Sequence, residues 1–236
     1  MSETLVAIHQ PTYLPWLGFF DKLRRSDVVV ILDDVQIQRT RSSWVNRTQI
    51  LSEGKTRWLT IPIYRPSGLQ QISATKIVDE DFWKKSHRGL IHTAYRQYPH
   101  YRTICPILDE VYESSESSLL EFNIFIIRKI LELLEFNDAE KFVFASSFNV
   151  KSGGTSRLVE LVKKSGGDSY LCGAGSTDYL QPEKFADAGL NLVFQNFRED
   201  ARPQLGTSEF IKGLSILDSL MMLGKAEVAK ILGLSQ

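Results

Sequence analysis

The stretch LVAIHQPTYLPWLGFFDKLRRSDVVVIL, residues 5–32, determines the fold prediction. Its apolar start, residues 5–8, predicts a short strand, and Pro11 and Pro15 force a non-helical loop after it. A helix is predicted to begin after Pro15. The β-branched run 28–32 then predicts a buried strand. Strand, loop, helix and strand within about thirty residues have the size of a βαβ unit.

The same alternation returns later in the chain. Residues 142–145 and 169–172 predict strands, and another lies within 190–197. A helix is predicted from Gly153-Gly154-Thr155 to Lys164, and a second over 182–188. This alternation of strands and helices predicts an α/β fold with a mostly parallel sheet and flanking helices.

Two further segments complete the predicted organisation, a single α/β domain over 1–236. Apolar residues at helical spacing predict a helical insertion or subdomain over 80–140. Residues 198–236 predict C-terminal helices. Residues 36–57 are polar and basic, and a strand is predicted over 58–63.

Composition narrows the class of function. The 236 residues are 43% hydrophobic and 24% charged, which is typical of globular proteins and excludes disorder. Equal numbers of basic and acidic residues, 28 each, disfavour non-specific nucleic-acid binding. The chain shows neither a signal peptide nor a run of about 20 apolar residues. With Cys105 and Cys172 too few for a disulfide framework, we expect a cytoplasmic protein without membrane insertion.

His9 and Gln10 follow the first predicted strand. Ligands of open α/β sheets bind outside the carboxyl ends of the strands, so His9 is a candidate acid–base or phosphate-contacting residue. The helix beginning near Trp16 would offer free N–H groups to an anion. Tyr13 and Trp16 are candidates for the ligand wall, with packing in the core as the alternative.

Asp33 and Asp34 end the second buried strand. A carboxylate there could hold a metal, orient a ribose or act as a general base, or it could simply cap a turn. We expect one of the two to face the crevice and assign the catalytic role to Asp34. Too few further ligands can be placed for a metal site, so none is predicted.

Trp44, Asn46 and Arg47 lie in the basic stretch, where five cations face one acid over residues 36–57. An arginine fork suits phosphate or carboxylate, which favours a small anionic ligand over a long polyanion. The alternative is a solvated loop. The tryptophan favours recognition.

Gly153-Gly154-Thr155-Ser156-Arg157 opens a helix, and its glycines let a ligand approach the backbone. The spacing of a Walker motif is absent, and ordinary capping by serine or threonine is the alternative. Gly173 follows a predicted strand and could line the same crevice.

One set of motifs runs along nearly the whole chain. Its members are His9-Gln10-Pro11-x-Tyr13-Leu14-Pro15-Trp16-x-Gly18-Phe19-Phe20-x-Lys22, Ser26-Asp27, Asp34-Val35-Gln36, Trp44-x-Asn46-Arg47, Trp58-Leu59-Thr60-x-Pro62, Trp83-Lys84 with His87, Thr155-x-Arg157-Leu158, Tyr170-x-x-Gly173, Tyr179-Leu180 and Leu214-Ser215-x-x-Asp218. In these motifs the chain resembles the WbqC-like family.

The resemblance implies a role in bacterial surface polysaccharide, including O-antigen. One role proposed for the family is transfer of glycine to an amino sugar. The segment 197–204 departs from the family pattern, which leaves the acceptor open. The arrangement is also similar to nucleotidylyltransferase-like or Rossmann-like folds, although their paired-histidine motif is missing. Such folds include ligases that activate a carboxylate with ATP, so ATP with Mg²⁺ is left open as a cofactor.

Three hypotheses follow: amide formation on a nucleotide-linked amino sugar, nucleotidylyl transfer to a sugar phosphate, and non-catalytic binding of a nucleotide sugar. A homo-oligomer is left open. In the first hypothesis Lys22, Arg47 and Arg157 neutralise phosphate. The assigned residues are, as catalytic, His9, Asp34 and Lys22, and, as substrate-binding, Gln10, Tyr13, Trp16, Gln36, Trp44, Asn46, Arg47, Thr155, Arg157, Gly173 and Tyr179.

Overall fold

A computed structural model describes residues 3–37, 43–65, 70–79, 81–136, 139–173 and 180–234. The chain divides into two compact units, each assembled from three stretches of sequence. The first unit comprises Met1–Pro11, Phe19–Val35 and Asp138–Arg198, and the second comprises Thr12–Gly18, Gln36–Asn137 and Glu199–Gln236.

The first unit contains a five-stranded parallel sheet, and this confirms the predicted α/β fold with its parallel sheet and flanking helices. Its strands are short and its central members are mostly apolar, as expected where both faces of a sheet are covered. The elements are β1 (Leu5–His9), α1 (Leu17–Arg25), β2 (Val28–Ile31), β5 (Phe142–Phe144), α5 (Gly154–Lys164), β6 (Ser169–Cys172), α6 (Pro182–Asp187) and β7 (Asn191–Phe194).

The order across this sheet is β5-β2-β1-β6-β7. Counted along the chain, these are the third, second, first, fourth and fifth strands of the sheet. The chain winds outward in one direction from β1 to β5 and then in the other from β6 to β7. The reversal lies between β1 and β6, and open α/β sheets bind their ligands outside the strand ends at that point.

The second unit combines helices with a separate two-stranded sheet. Its elements are β3 (Arg47–Ser52), β4 (Lys55–Thr60), α2 (Asp81–Tyr95), α3 (Tyr101–Glu113), α4 (Leu119–Leu133) and α7 (Ile216–Ile231). Gly224 interrupts α7 with a non-helical φ of 78°. The described part of the chain thus holds seven α-helices, of which none has the length and apolar character required to cross a bilayer.

The strand predicted over 58–63 overlaps β4, which pairs antiparallel with β3 as a hairpin, so the alternative of a solvated loop does not hold for the second half of the basic stretch 36–57. The two-residue turn between them is Glu53-Gly54, and both residues have positive φ, 52° and 73°. Such a turn matches the twist of the strands, but it is usually marked by Asn-Gly or Asp-Gly. With glutamate in the first position, the sequence signal for this hairpin is weak.

Gly167, at the end of α5, permits close packing against β1. A Cβ atom built on Gly167 would lie 2.2 Å from Cγ2 of Val6, which is fully buried in the core of the first unit. The neighbouring Gly166 has a φ of 78° and ends the helix in the left-handed conformation. The close approach of helix and sheet therefore depends on the absence of a side chain at residue 167.

Replacing Gly167 by alanine should lower the free energy of unfolding by about 1–3 kcal/mol, because the added methyl group overpacks the core. The matched control is Gly89→Ala. Gly89 lies exposed in α2 with open space around it, so alanine there should be neutral or stabilising. Urea unfolding of the two variants measures the difference. Equal stability of both would contradict this account of the packing.

Candidate functional site

The strands β1 and β6 separate before β1 ends. Their pairing runs from Leu5 with Ser169 to Ala7 with Leu171. On the other side, pairing of β1 with β2 continues, and the amide of Leu32 donates to the carbonyl of His9. Successive carbonyls of a strand point in opposite directions, so the carbonyl of Ile8 faces the β6 side, where the ladder has already ended.

Lys22 reaches this carbonyl from α1. Its Nζ donates to the Ile8 oxygen at 3.2 Å and lies 5.7 Å from the ring centroid of Tyr170. The residue is 5% exposed, and among the residues that the structure describes it has no carboxylate partner. Burial lowers the pKa of Lys22 to about 8. Near neutral pH the ammonium is thus mostly charged, with one of its three N–H donors satisfied.

His9 is the last residue of β1. Its Nδ1 lies 2.8 Å from the carbonyl oxygen of Gln10, and its ring packs edge-on against Phe19. Burial lowers the pKa of His9 to about 4, with the charge of Lys22 as a second cause, so the ring is neutral at pH 7. A carbonyl only accepts, hence Nδ1 carries the proton and Nε2 presents a lone pair.

Two further assigned residues, Gln10 and Gly173, follow the strands β1 and β6. Gln10 is half-buried, and its backbone fixes the His9 ring. Gly173 follows β6, on the other side of the reversal, and a Cβ atom there would contact nothing within 4 Å. Among the described residues, no side chain therefore covers the backbone at Gly173. Tyr179, which the sequence assigned to the same region, lies outside the described residues.

Both carboxylates after β2, Asp33 and Asp34, have hydrogen-bond partners. Asp33 accepts a hydrogen bond from the amide of Ser146 at 2.9 Å. Both oxygens of Asp34 accept from Nη2 of Arg157, at 2.6 and 2.7 Å, and Nη1 of Arg157 donates to Val150. The structure brings the two predicted residues Asp34 and Arg157 together as an ion pair. The pair joins the end of β2 to the first turn of α5.

The start of α5 has no side-chain cap. The N-cap residue is Gly153, so the predicted alternative of capping by serine or threonine does not hold at this position. The Thr155 hydroxyl instead accepts from the amide of Gln181 at 3.2 Å. Thr155 thereby fixes α5 to the segment before α6, and the backbone amides of the first turn depend on an anion or solvent.

In the second unit, Tyr13 is a core residue rather than a wall. It is 1% exposed, and its hydroxyl lies 2.6 Å from that of Tyr112 and 3.0 Å from Nδ1 of His87. Nε2 of His87 lies 3.1 Å from the backbone of Thr60. Burial lowers the pKa of His87 to about 4 and raises the pKa of both tyrosines. The network joins the proline-rich motif to α2, α3 and β4.

Sequence reasoning did not assign His87 or Tyr112 to this network. A signal existed in α2, where Trp83 and His87 lie four residues apart and share one helix face. Their rings pack edge to face, with centroids 5.2 Å apart. Tyr112 is distant in sequence and carries no such signal.

The remaining assigned residues of the second unit differ in exposure. Asn46 is buried and exchanges hydrogen bonds with Ile61, as a scaffold residue does. Gln36 is exposed and pairs with Gln71, while Trp16 lies over Gly18 and pairs with Ser215. The two other assigned residues of the basic stretch, Trp44 and Arg47, both contact Trp58.

Metal ligands do not cluster in the described ranges. No group of three or more histidine, cysteine, aspartate or glutamate side chains there is placed to hold a metal ion. Among the described residues at the strand ends of the first unit, Lys22 supplies a buried ammonium and His9 a neutral imidazole.

The two neutral histidines predict a loss of stability in acid. Both bind a proton below pH 6.5 when unfolded but only near pH 4 when folded, so the unfolded state binds more protons in between. Each should lower the free energy of unfolding as the pH falls from 6.5 to 4, by at most about 1.4 kcal/mol per pH unit.

Urea unfolding at pH 7.5 and 5 measures this loss. His9→Asn should reduce the difference between the two pH values, whereas His92→Asn, at an exposed position of α2, should not. An unchanged difference in His9→Asn would show that His9 is not held neutral by the fold.

Comparison of the sequence with known proteins identifies the family of this chain. The sequence model of the WbqC-like protein family matches residues 10–230. The chain is also similar to the uncharacterized protein Rv1507c of Mycobacterium tuberculosis, with 24% identity over 220 residues that cover 93% of this chain and 94% of the relative. No solved structure matches this chain. The match extends from Gln10, beside the site, into α7, and the chain belongs to the WbqC-like protein family.

Proposed function

We propose that this protein is an enzyme of bacterial surface polysaccharide biosynthesis. It binds a nucleotide-linked amino sugar outside the end of β1 and transfers glycine or a similar acyl group to the sugar amine, forming an amide. The observation that carries the proposal is the buried ammonium of Lys22 at the reversal of the strand order. The site, the ligand class and the reaction are each open to a separate test below.

An anion is the ligand that Lys22 requires. A buried charge costs free energy unless it is paired, and the one hydrogen bond that Lys22 forms within the described residues, to the Ile8 carbonyl, leaves most of that cost uncompensated. A phosphate placed there would pair with the ammonium and strengthen the interaction, because little water is present to screen it. The pyrophosphate of a nucleotide sugar supplies such a group, and it suits the strand-end crevice of a parallel sheet.

His9 is the residue we assign to proton transfer. When the sugar amine attacks an activated carbonyl carbon, a C–N bond forms, the leaving group departs with its electron pair, and the nitrogen must lose a proton. The lone pair on Nε2 of His9 can accept it, and a bound phosphate would raise the pKa of His9 toward neutrality. Asp34 is less suited to act as base, because Arg157 engages both of its oxygens.

The proposal assigns small molecules as partners and the cytoplasm as the site of action. The two described cysteines, Cys105 and Cys172, are both free thiols, which agrees with a reducing compartment. The acyl donor would be activated before the amine attacks, and ATP with Mg²⁺ is the candidate for that step.

Nucleotide sugars should stabilise the protein through Lys22. A ligand at 100 times its dissociation constant adds about 2.7 kcal/mol, which raises the melting temperature by roughly 5–10 °C for a chain of this size. The thermal-shift panel contains ATP, UDP, dTDP, CDP, their amino-sugar derivatives and glycine, each with and without Mg²⁺. The shift with a nucleotide sugar should vanish in Lys22→Met and persist in Lys163→Met, an exposed lysine of α5.

Failure of every nucleotide and nucleotide sugar to shift the wild-type midpoint would contradict the proposed ligand class. Mass spectrometry of the products then tests the reaction. An amide on the amino sugar supports the proposal, whereas pyrophosphate released from a sugar phosphate and a nucleoside triphosphate would indicate nucleotidylyl transfer instead. Binding without any product from any donor mixture would indicate a non-catalytic nucleotide-sugar binder.

The burial of Lys22 also predicts an unusual rise of stability in alkali. The pKa of Lys22 is about 8 in the folded protein against 10.5 for an exposed lysine, so the unfolded state binds more protons between these values. The free energy of unfolding should increase through this window. Lys22→Met should be more stable than the wild type at pH 7 and should lose the rise, while Lys163→Met should keep it. A lysine that already has an anionic partner would give the opposite result.

A further inference from the structure

The solvent-facing side of the hairpin carries two exposed tryptophans and an arginine. Trp44 is 42% exposed and Trp58 is 38% exposed, although large apolar side chains are costly to leave in water. Arg47 completes the group, which we call the Trp44–Arg47–Trp58 cluster. It lies within the second unit and shares no residue with the site around Lys22.

The strand register explains why these side chains meet. Arg47 pairs with Thr60 and Gln49 with Trp58, so Arg47 lies diagonally across from Trp58 on one face of the hairpin. The guanidinium carbon of Arg47 is 3.5 Å from the ring centroid of Trp58. The Trp44 ring packs against Trp58 from the preceding loop, with centroids 5.1 Å apart and planes inclined by 51°.

Arg47 retains donors that no carboxylate satisfies. Among the described residues it forms no ion pair, and its Nε is buried without a hydrogen-bond partner. A guanidinium stacked on an aromatic ring keeps its N–H groups in its own plane, directed away from the ring stack. That geometry suits a two-pronged interaction with a carboxylate or a phosphate.

We propose that the Trp44–Arg47–Trp58 cluster binds a pyranose ring that carries a carboxylate or phosphate group. Its apolar C–H face packs on the tryptophan rings, and the anionic group pairs with Arg47. Rings inclined by 51° cannot stack together on one flat nucleobase, whereas a puckered sugar offers faces at different angles.

The cluster would thus be a second carbohydrate-binding site, separate from the proposed nucleotide-sugar site at Lys22. The choice of a sugar is consistent with the proposed function, but the binding itself requires neither nucleotide nor acyl donor. It is therefore tested on the full chain without either. Lys22→Met should bind trigalacturonate, which carries no phosphate, as the wild type does, and this separates a failure here from a failure of the site at β1.

The experiment is a titration followed by tryptophan fluorescence and calorimetry. The probes are trigalacturonate, its fully methyl-esterified neutral form, glucose 6-phosphate and glucose. Trp58→Ala should weaken binding of the charged probes at least tenfold. Arg47→Gln should weaken the charged probes tenfold and leave the neutral ester unchanged. The two charged probes distinguish a carboxylate from a phosphate as the preferred group.

Arg57→Gln is the matched control. Arg57 adjoins Trp58 in β4 and is exposed, but alternation along the strand directs it to the other face of the hairpin, so its loss should leave affinity unchanged. Equal affinity for charged and neutral probes, or unchanged binding in both Trp58→Ala and Arg47→Gln, would overturn the proposal. So would a concentration-dependent dimer that Trp58→Ala dissociates while the sugars fail to bind, since the cluster would then be an interface between copies.

Discussion

The hydrogen bond from the Lys22 ammonium to the Ile8 carbonyl connects the topology of the first unit to its chemistry. β1 is the middle strand, and it pairs with β2 for longer than it pairs with β6. The Ile8 carbonyl faces the position where the second ladder has ended, and α1 delivers a lysine to it. A positive charge is thus held where the strand order reverses, in a place that water reaches poorly. That single unbalanced charge is why we assign an anionic ligand to this end of the sheet.

Lys22 and His9 differ in protonation at neutral pH: the lysine is mostly charged and the histidine is neutral. Burial lowers the pKa of Lys22 and that of His9, so that His9 is neutral at pH 7. The positive charge of Lys22 lowers the pKa of His9 further. An anion bound between them would reverse both effects, because it favours the charged form of each group. Asp34 and Arg157 satisfy one another nearby in the first unit and can hold α5 in place without a ligand. In the proposed site, Lys22 and His9 are therefore the groups that would meet a ligand, whereas Asp34 and Arg157 are already paired.

Local sequence patterns predicted the first unit well. The apolar runs of β1 and β2 and the glycines after α5 act through neighbours in sequence, so the parallel sheet and its strand-end residues could be recognised. The hairpin was not recognised, although a strand was predicted over 58–63, because Glu53-Gly54 is an uncommon turn pair and the basic stretch around it was also consistent with a solvated loop. The place of Tyr13 was equally hidden, since its partner Tyr112 lies 99 residues away. Which member of a dense motif faces a ligand and which packs inside depends on such distant partners.

The most direct test of the central claim is the titration of Lys22 itself. Protein labelled with ¹³C at lysine Cε allows the pKa of each amine to be followed by NMR, with Lys22→Met identifying the resonance. The account predicts a pKa of about 8 in the unliganded protein and a rise on addition of a nucleotide sugar. A pKa near the ordinary 10.5 that does not respond to any nucleotide sugar would contradict the account, because Lys22 would then be neither buried without a partner nor part of an anion site.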